Sequence, residues 1–311
     1  MNGGAQPKYP KGTPRKHHFV PRGYLAGFCA EGTERFALFD RARVEYRDRQ
    51  APAEVAHIRD YYAFDVRNGE VHFNIEAALS KLESDALPII RKVDLDEGIS
   101  DDERFVLALY VAFQHTRTPV FQHTVDGIGT HMVTRIAQML QHESDVPEEQ
   151  REVTPAQFAD MAEHLDVEVN RQASLQMMLN MAPEIAHTLN AMDWTIVRRP
   201  DAKRSFITTD NPFCLVPGPD YVSDGFRGIG LQTRGILKVL PLSQASALVI
   251  SEPGGATSSY VTTLEGVRQI NEAVAVQCQN FVFGRDLALI KSIVASTGID
   301  KAKWRSGWNF D

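Results

Sequence analysis

At 311 residues, with a net charge of −7, 43% hydrophobic and 23% charged residues, the chain can bury a large core and has the composition of an ordinary globular protein, not a disordered or membrane-embedded one. The acidic balance excludes a whole-molecule field that would draw it to nucleic acid. Two local basic stretches qualify this, one holding Lys8, Lys11, Arg15, Lys16 and Arg22, the other RRPDAKR at Arg198 to Arg204; they read first as a solvated tail and a charged turn, with a phosphate-facing patch as the alternative.

No apolar run reaches the roughly 18 residues that suggest a membrane span, and the first residues lack the apolar core of a secretory signal. Cys29, Cys214 and Cys278 are odd in number and far apart, so they form neither a disulfide framework nor a zinc spacing. The expected compartment is the cytoplasm, with no membrane partner.

Residues 1–15, rich in Gly and Pro, read as a flexible leader. KHHFVPRGYLAGF (Lys16 to Phe28) then sets two histidines directly before Phe19, Val20, Tyr24, Leu25 and Phe28, so this segment is anchored and its histidines are placed. ERFALFDRARVEYRD reads as a β-hairpin, and YYAFDVRNGEV offers a second turn at Asn68-Gly69. From Phe73 to about Val93, Ile75, Leu79, Leu82, Ala86 and Ile90 recur at helical steps, with a kink expected at Pro88.

Ser100 followed by Glu103 is a capping box opening a second helix. Its continuation FVLALYVAFQHTRTP is apolar almost all round, the mark of a buried central helix, which Pro119 should kink or end. A helical pattern weakened by Gly127 and Gly129 follows. Then come an acidic loop SDVPEEQREVTP, a helix from Pro155 to His164, and another from Glu168 to about Ala191. A break is expected at Pro183, and Met177, Met178 and Met181 read as core filler.

In the final third, WTIVRR and SFITT flank the turn PDAK, and ILKVLPL and SALVI flank SQA. A helix from Tyr260 to about Ala275 precedes a last strand, NFVFG. The segregation of strands and helices predicts an α+β fold. Its parts are N-terminal β-hairpins, a long central helical block over about 73–191, and a C-terminal, mainly antiparallel sheet with one helix. One domain is expected over 16–284, with 285–311 as a C-terminal extension.

The central helix carries Arg117 and His115 near its C-terminal end, although it has no wet face. A buried guanidinium needs an anionic partner. Glu76 and Glu83, stacked seven residues apart on the preceding helix, are the candidates; they are either rim glutamates or reach across to Arg117 or His115. TTDNPF puts Asp210 and Asn211 at a strand end, where they either form a turn or present ligands. Of the adjacent histidines, His18 is favoured because FVP anchors it directly. Phosphate-loop, nucleophile-elbow, zinc-protease and dinucleotide motifs are absent.

HHFVPRGYLAGF, NIEAALSKLE, RTP, W-x-I followed by FITTDNPF, PLS, and IN before NFVFG occur in this order. Together they resemble the bacterial domain-of-unknown-function family 4238, over roughly Lys16 to Gly284. The resemblance implies a shared fold and no established activity. It places weight on His18, Pro21, Tyr24, Leu25, Phe28, Glu76, Glu83, Arg117, Pro119, Asp210, Asn211 and Pro212, and not on His17 or His115.

These residues lead to two expectations. The first is a metal-assisted hydrolase of phosphodiester or phosphate ester bonds, with catalytic His18, Glu76, Glu83, Arg117 and Asp210, supported by Tyr24, His115 and Asn211. In it His18 and Asp210 hold a divalent metal ion. The second is a non-catalytic binding or regulatory protein, for example in a defence or toxin-related system, whose polar cluster is a structural ion-pair network.

Overall fold

A computed structural model describes residues 15–62, 64–66, 70–72, 74–143, 171–223 and 229–301. Of the expected leader only Arg15 falls among them, and its guanidinium pairs with Asp60. Strand β1 (Lys16–His18) runs antiparallel to β4 (His57–Arg59), with His18 opposite His57. Helix α1 (Arg22–Ala26) follows Pro21 and buries Tyr24 and Leu25.

The first expected hairpin is present as β2 (Phe36–Asp40) and β3 (Glu45–Gln50). Strand β2 is buried along its whole length because both faces are covered. Phe36 and Leu38 enter the main core, while Ala37 and Phe39 enter a second one. The ribbon β5 (Phe64–Val66) and β6 (Glu70–His72) also pairs antiparallel, and its Asn68-Gly69 turn lies outside the described residues.

Helix α2 (Asn74–Asp94) continues past Pro88 to its end, burying Leu79, Ala86, Ile89, Ile90 and Val93. At its last residue, Asp94 accepts hydrogen bonds from the Ser243 and Ser246 hydroxyls, which ties α2 to the distant strands. Helix α3 (Asp101–Thr116) starts at the expected capping box: Ser100 Oγ accepts from the Glu103 amide at 3.2 Å, and Glu103 Oε2 accepts from the Ser100 amide at 2.9 Å. None of its residues from Glu103 to Thr116 is exposed, as its all-round apolarity predicts. Buried Arg104 projects from α3 to the carbonyls of Asn190, Met192 and Ala256, with its guanidinium 4.4 Å from the Trp194 ring centroid.

Pro119 ends α3 and opens α4 (Pro119–Glu143), because a first-turn proline has no amide to waste. Gly127 and Gly129 do not interrupt α4. The acidic loop SDVPEEQREVTP and the expected 155–164 helix lie outside the described residues. Helix α5 (Arg171–Asn190) runs unbroken through Pro183, against the expected break. Met178 is buried in register with Leu175, Ala182 and Ile185, whereas Met177 and Met181 fall on the exposed side of that helical period and do not fill the core.

Strands β7 (Met192–Arg198), β9 (Cys214–Pro217), β10 (Ile236–Pro241), β11 (Ser246–Pro253) and β12 (Thr257–Val261) form a five-stranded sheet in the order β12-β7-β11-β10-β9. Only β12 and β7 are parallel. Strand β8 (Thr208–Thr209) and β13 (Phe281–Gly284) complete a second sheet, β3-β2-β13-β8. The SQA hairpin is present as β10-β11.

WTIVRR and SFITT, expected to flank one turn as neighbours, instead enter different sheets. The crossing backbone is held by buried Asn271, whose Oδ1 accepts from the Ile207 amide and whose Nδ2 donates to the Ser205 carbonyl. Tyr260 and Val261, expected in a helix, belong to β12. Helix α6 (Leu264–Ala275) begins later, where Thr263 caps it through the Gly266 amide.

Two helices, not one, accompany the C-terminal strands. Helix α7 (Leu287–Thr297) packs Ile290, Ile293 and Val294 with Phe39 and Val282 of the four-stranded sheet. It stops at Gly298, whose φ of 65° suits a residue without a Cβ. The architecture is α+β, as expected.

Candidate functional site

Strand β1 presents its two histidines in different directions, and the consequences differ. His17 is fully buried: the Tyr62 amide donates to its Nδ1 at 2.7 Å, which leaves the ring N–H on Nε2, 3.2 Å from Glu76 Oε2. Its ring stacks on Tyr62 with centroids 5.5 Å apart. His18 is half-buried and meets the edge of His57 at 5.4 Å, and its Nε2 is sealed from solvent without a partner. Burial first, then the neighbouring His57, lowers the His18 pKa to about 4, so its imidazole is neutral at physiological pH.

Arg117, the C-cap of α3, is 4% exposed and uses every guanidinium nitrogen within the protein. Its Nε donates to Tyr62 Oη at 3.0 Å, Nη1 to Glu83 Oε1 at 2.8 Å, and Nη2 to the His18 carbonyl at 2.6 Å. Tyr62 Oη donates in turn to the same carbonyl at 3.2 Å. Burial alone would lower the arginine's pKa, but Tyr62 and Glu83 outweigh it and hold the pKa above the usual value. The cluster thus knots β1, α2 and α3 together.

Outside this knot opens a cleft of ≈ 470 Å³, lined among others by Lys16, His18, Arg22, Glu76, Glu83 and Arg117. The side chains of Lys16 and Arg22 are exposed on its rim and make no ion pair or hydrogen bond among the described residues. Two committed carboxylates therefore stand beside two uncommitted cations. Such an arrangement favours an anion at the rim.

Of the residues expected in one site, the structure brings together His18, Glu76, Glu83 and Arg117. Glu83 reaches Arg117, while Glu76 serves His17 instead. Asp210 stands apart at the end of β8, where its Oδ1 accepts from the Gln279 amide at 2.9 Å and its Oδ2 from the Asn280 amide at 2.7 Å. Burial pushes the Asp210 pKa up to about 6 against the pull of these backbone donors. Asn211 donates to the Gln277 carbonyl at 3.3 Å, so the Asp-Asn pair fastens the approach to β13.

Tyr24 Oη donates to the Pro241 carbonyl at 2.6 Å and lies 2.8 Å from Thr208 Oγ1, joining α1 to both sheets. The His115 ring sits among Phe121 and Phe213, its Nδ1 unpartnered, and burial lowers its pKa to about 4. None of Asp210, Asn211, Tyr24 and His115 lines the cleft.

The described residues do not bring the expected metal ligands into one donor set. His18 and Asp210, expected to share one, sit in different sheets, and no group of three His, Cys, Asp or Glu among the described residues is arranged to hold a metal. Sequence reasoning missed His17 and Tyr62 as parts of this site, and noted Lys16 and Arg22 only as members of a basic stretch, without joining them to His18, Glu83 and Arg117. The adjacency of Lys16 and His17 to His18 was the available signal for tying those two to it; Tyr62 gave none.

The family model described as "Protein of unknown function (DUF4238)" matches residues 16–287. The chain belongs to the DUF4238 family. No curated protein and no solved structure matches it. The matched segment of this DUF4238 chain contains the whole cleft, from Lys16 to Arg117, and both sheets. No helix among its described residues is long and apolar enough to cross a membrane.

Proposed function

We propose that this DUF4238 protein binds a small, phosphate-bearing anion in the cleft, with the paired groups behind it acting as a structural wall. The observation that carries this reading is the division of labour among the cations. Arg117 is saturated by Tyr62, Glu83 and the His18 carbonyl, whereas Lys16 and Arg22 face the cleft uncommitted. The polar cluster is then a network in the service of the fold, and recognition belongs to the rim.

Calorimetric titration with inorganic phosphate and a simple phosphomonoester tests this. The wild-type chain should bind, with affinity falling as salt is raised, and the double variant Lys16→Glu/Arg22→Glu should bind at least about tenfold more weakly because like charges now face the ligand. Absence of binding by the folded wild type would remove the proposal.

A second reading, hydrolysis of a phosphate ester or phosphodiester, is favoured by one observation. The Glu76 carboxylate is 30% exposed at the cleft and is held by an imidazole whose tautomer is set. A positioned carboxylate of this kind suits a general base, a role worth about 10²–10⁴-fold. Under this reading the folded wild type turns over a phosphomonoester or phosphodiester, and Glu76→Gln keeps anion binding while losing about 10²-fold in rate. A wild type that binds and never turns over leaves the binding function alone.

A further inference from the structure

Strand β10 carries a lysine in a setting that suits hydrocarbon. Lys238 is 1% exposed and lies between half-buried Leu237 and buried Val239 on β10, opposite buried Ile250 of β11. Its Nζ donates once, to the Ser251 carbonyl at 3.0 Å. No carboxylate forms an ion pair with it among the described residues. An ammonium has three N–H groups to satisfy, and a buried one with a single neutral acceptor is costly. The site therefore works against the charged form.

The surroundings leave room for a reactant beside the amine. A cleft of ≈ 430 Å³, separate from the one at β1, is lined by Thr188, Met192, Gln232, Lys238, Glu252 and Pro253 among others. Glu252 is the only acid lining it among the described residues; its Oε1 accepts from the Gly235 amide at 2.7 Å, which fixes the carboxylate. Burial lowers the pKa of Lys238, with the charge of Glu252 opposing the shift.

We propose that Lys238 is a carbonyl-reactive amine and that its cleft receives a small aldehyde- or ketone-bearing molecule. The Nζ lone pair attacks the carbonyl carbon, a C–N bond forms, and the C=O π pair moves to oxygen. A proton shift from nitrogen to oxygen gives the carbinolamine. Loss of water, its second proton taken from nitrogen, then leaves the C=N bond of a Schiff base. No oxidant or reductant is needed.

The test uses the intact chain at pH 7 with propanal as the probe and cyanoborohydride to trap the imine, followed by peptide mapping. Lys203, exposed and without an ion pair among the described residues, is the internal reference. Trapping at Lys238 should run about fivefold or more faster than at Lys203, since a desolvated amine is the activated one. Lys238→Arg, checked for folding by circular dichroism, should lose the fast component and leave the labelling of Lys203 unchanged. Labelling of Lys238 no faster than Lys203 in the folded wild type would overturn the assignment, as would a fast component that survives in Lys238→Arg.

Discussion

Replacing Arg117 by methionine is expected to destabilise the fold by about 3–5 kcal/mol, the range for removing one partner of a buried ion pair. Methionine fills similar volume, so the loss comes from what is left behind and not from a cavity. Glu83 loses its counter-charge, Tyr62 Oη loses a donor, and the His18 carbonyl loses the shorter of its two hydrogen bonds. Urea denaturation of the two chains measures the difference. A change below about 1 kcal/mol would mean that the three-way contact is no stronger than a surface pair. Arg117→Lys should recover only part of the loss, because a single ammonium on a flexible stem cannot reproduce the guanidinium fork that now spans three acceptors.

The second large effect concerns pH and Asp210. Its folded pKa of about 6 lies above the ordinary 3.8, so the native state holds this proton more tightly than the unfolded chain does. The contribution is therefore fully present at low pH and is lost as pH rises from 3.8 through about 6. From this group alone the wild type should lose about 2 kcal/mol between pH 4 and pH 7.

Asp210→Asn removes the titration, and the difference between the two chains isolates it from Asp94 and other carboxyls. The variant should be less stable than wild type at pH 4.5, since an amide has one acceptor oxygen for the two backbone N–H groups of Gln279 and Asn280. The gap should narrow towards pH 7. Parallel stability curves for the two chains would refute the assignment.

What was legible in the sequence was local. The Ser100–Glu103 box, the β2-β3 hairpin and the SQA hairpin are each specified by residues within a few positions of one another, so spacing found them. For Arg117 the spacing of Glu76 and Glu83 narrowed the candidates to two glutamates on one side of α2, but left open whether either reached it; Glu83 does. What failed was non-local. His17 owes its role to Tyr62, 45 positions away, and no periodicity links the two. Asp210 looked like a ligand because a strand-end carboxylate beside proline is rigid. Its actual partners, the amides of Gln279 and Asn280, lie about 70 positions on. The pairing of WTIVRR with SFITT failed for the same reason, since the decisive contact is a side chain of α6.

The double hydrogen bond on the His18 carbonyl has a thermodynamic consequence for any ligand of the cleft. Arg117 and Tyr62 both end on this one oxygen, so the floor of the cleft has little conformational freedom to lose when a ligand arrives. Affinity and fold stability are then coupled through the same backbone atom. A substitution at Tyr62 or Arg117 that touches no ligand would still weaken binding, by loosening β1. Only a comparison of melting temperature with affinity across such variants separates residues that hold the ligand from those that hold the cleft.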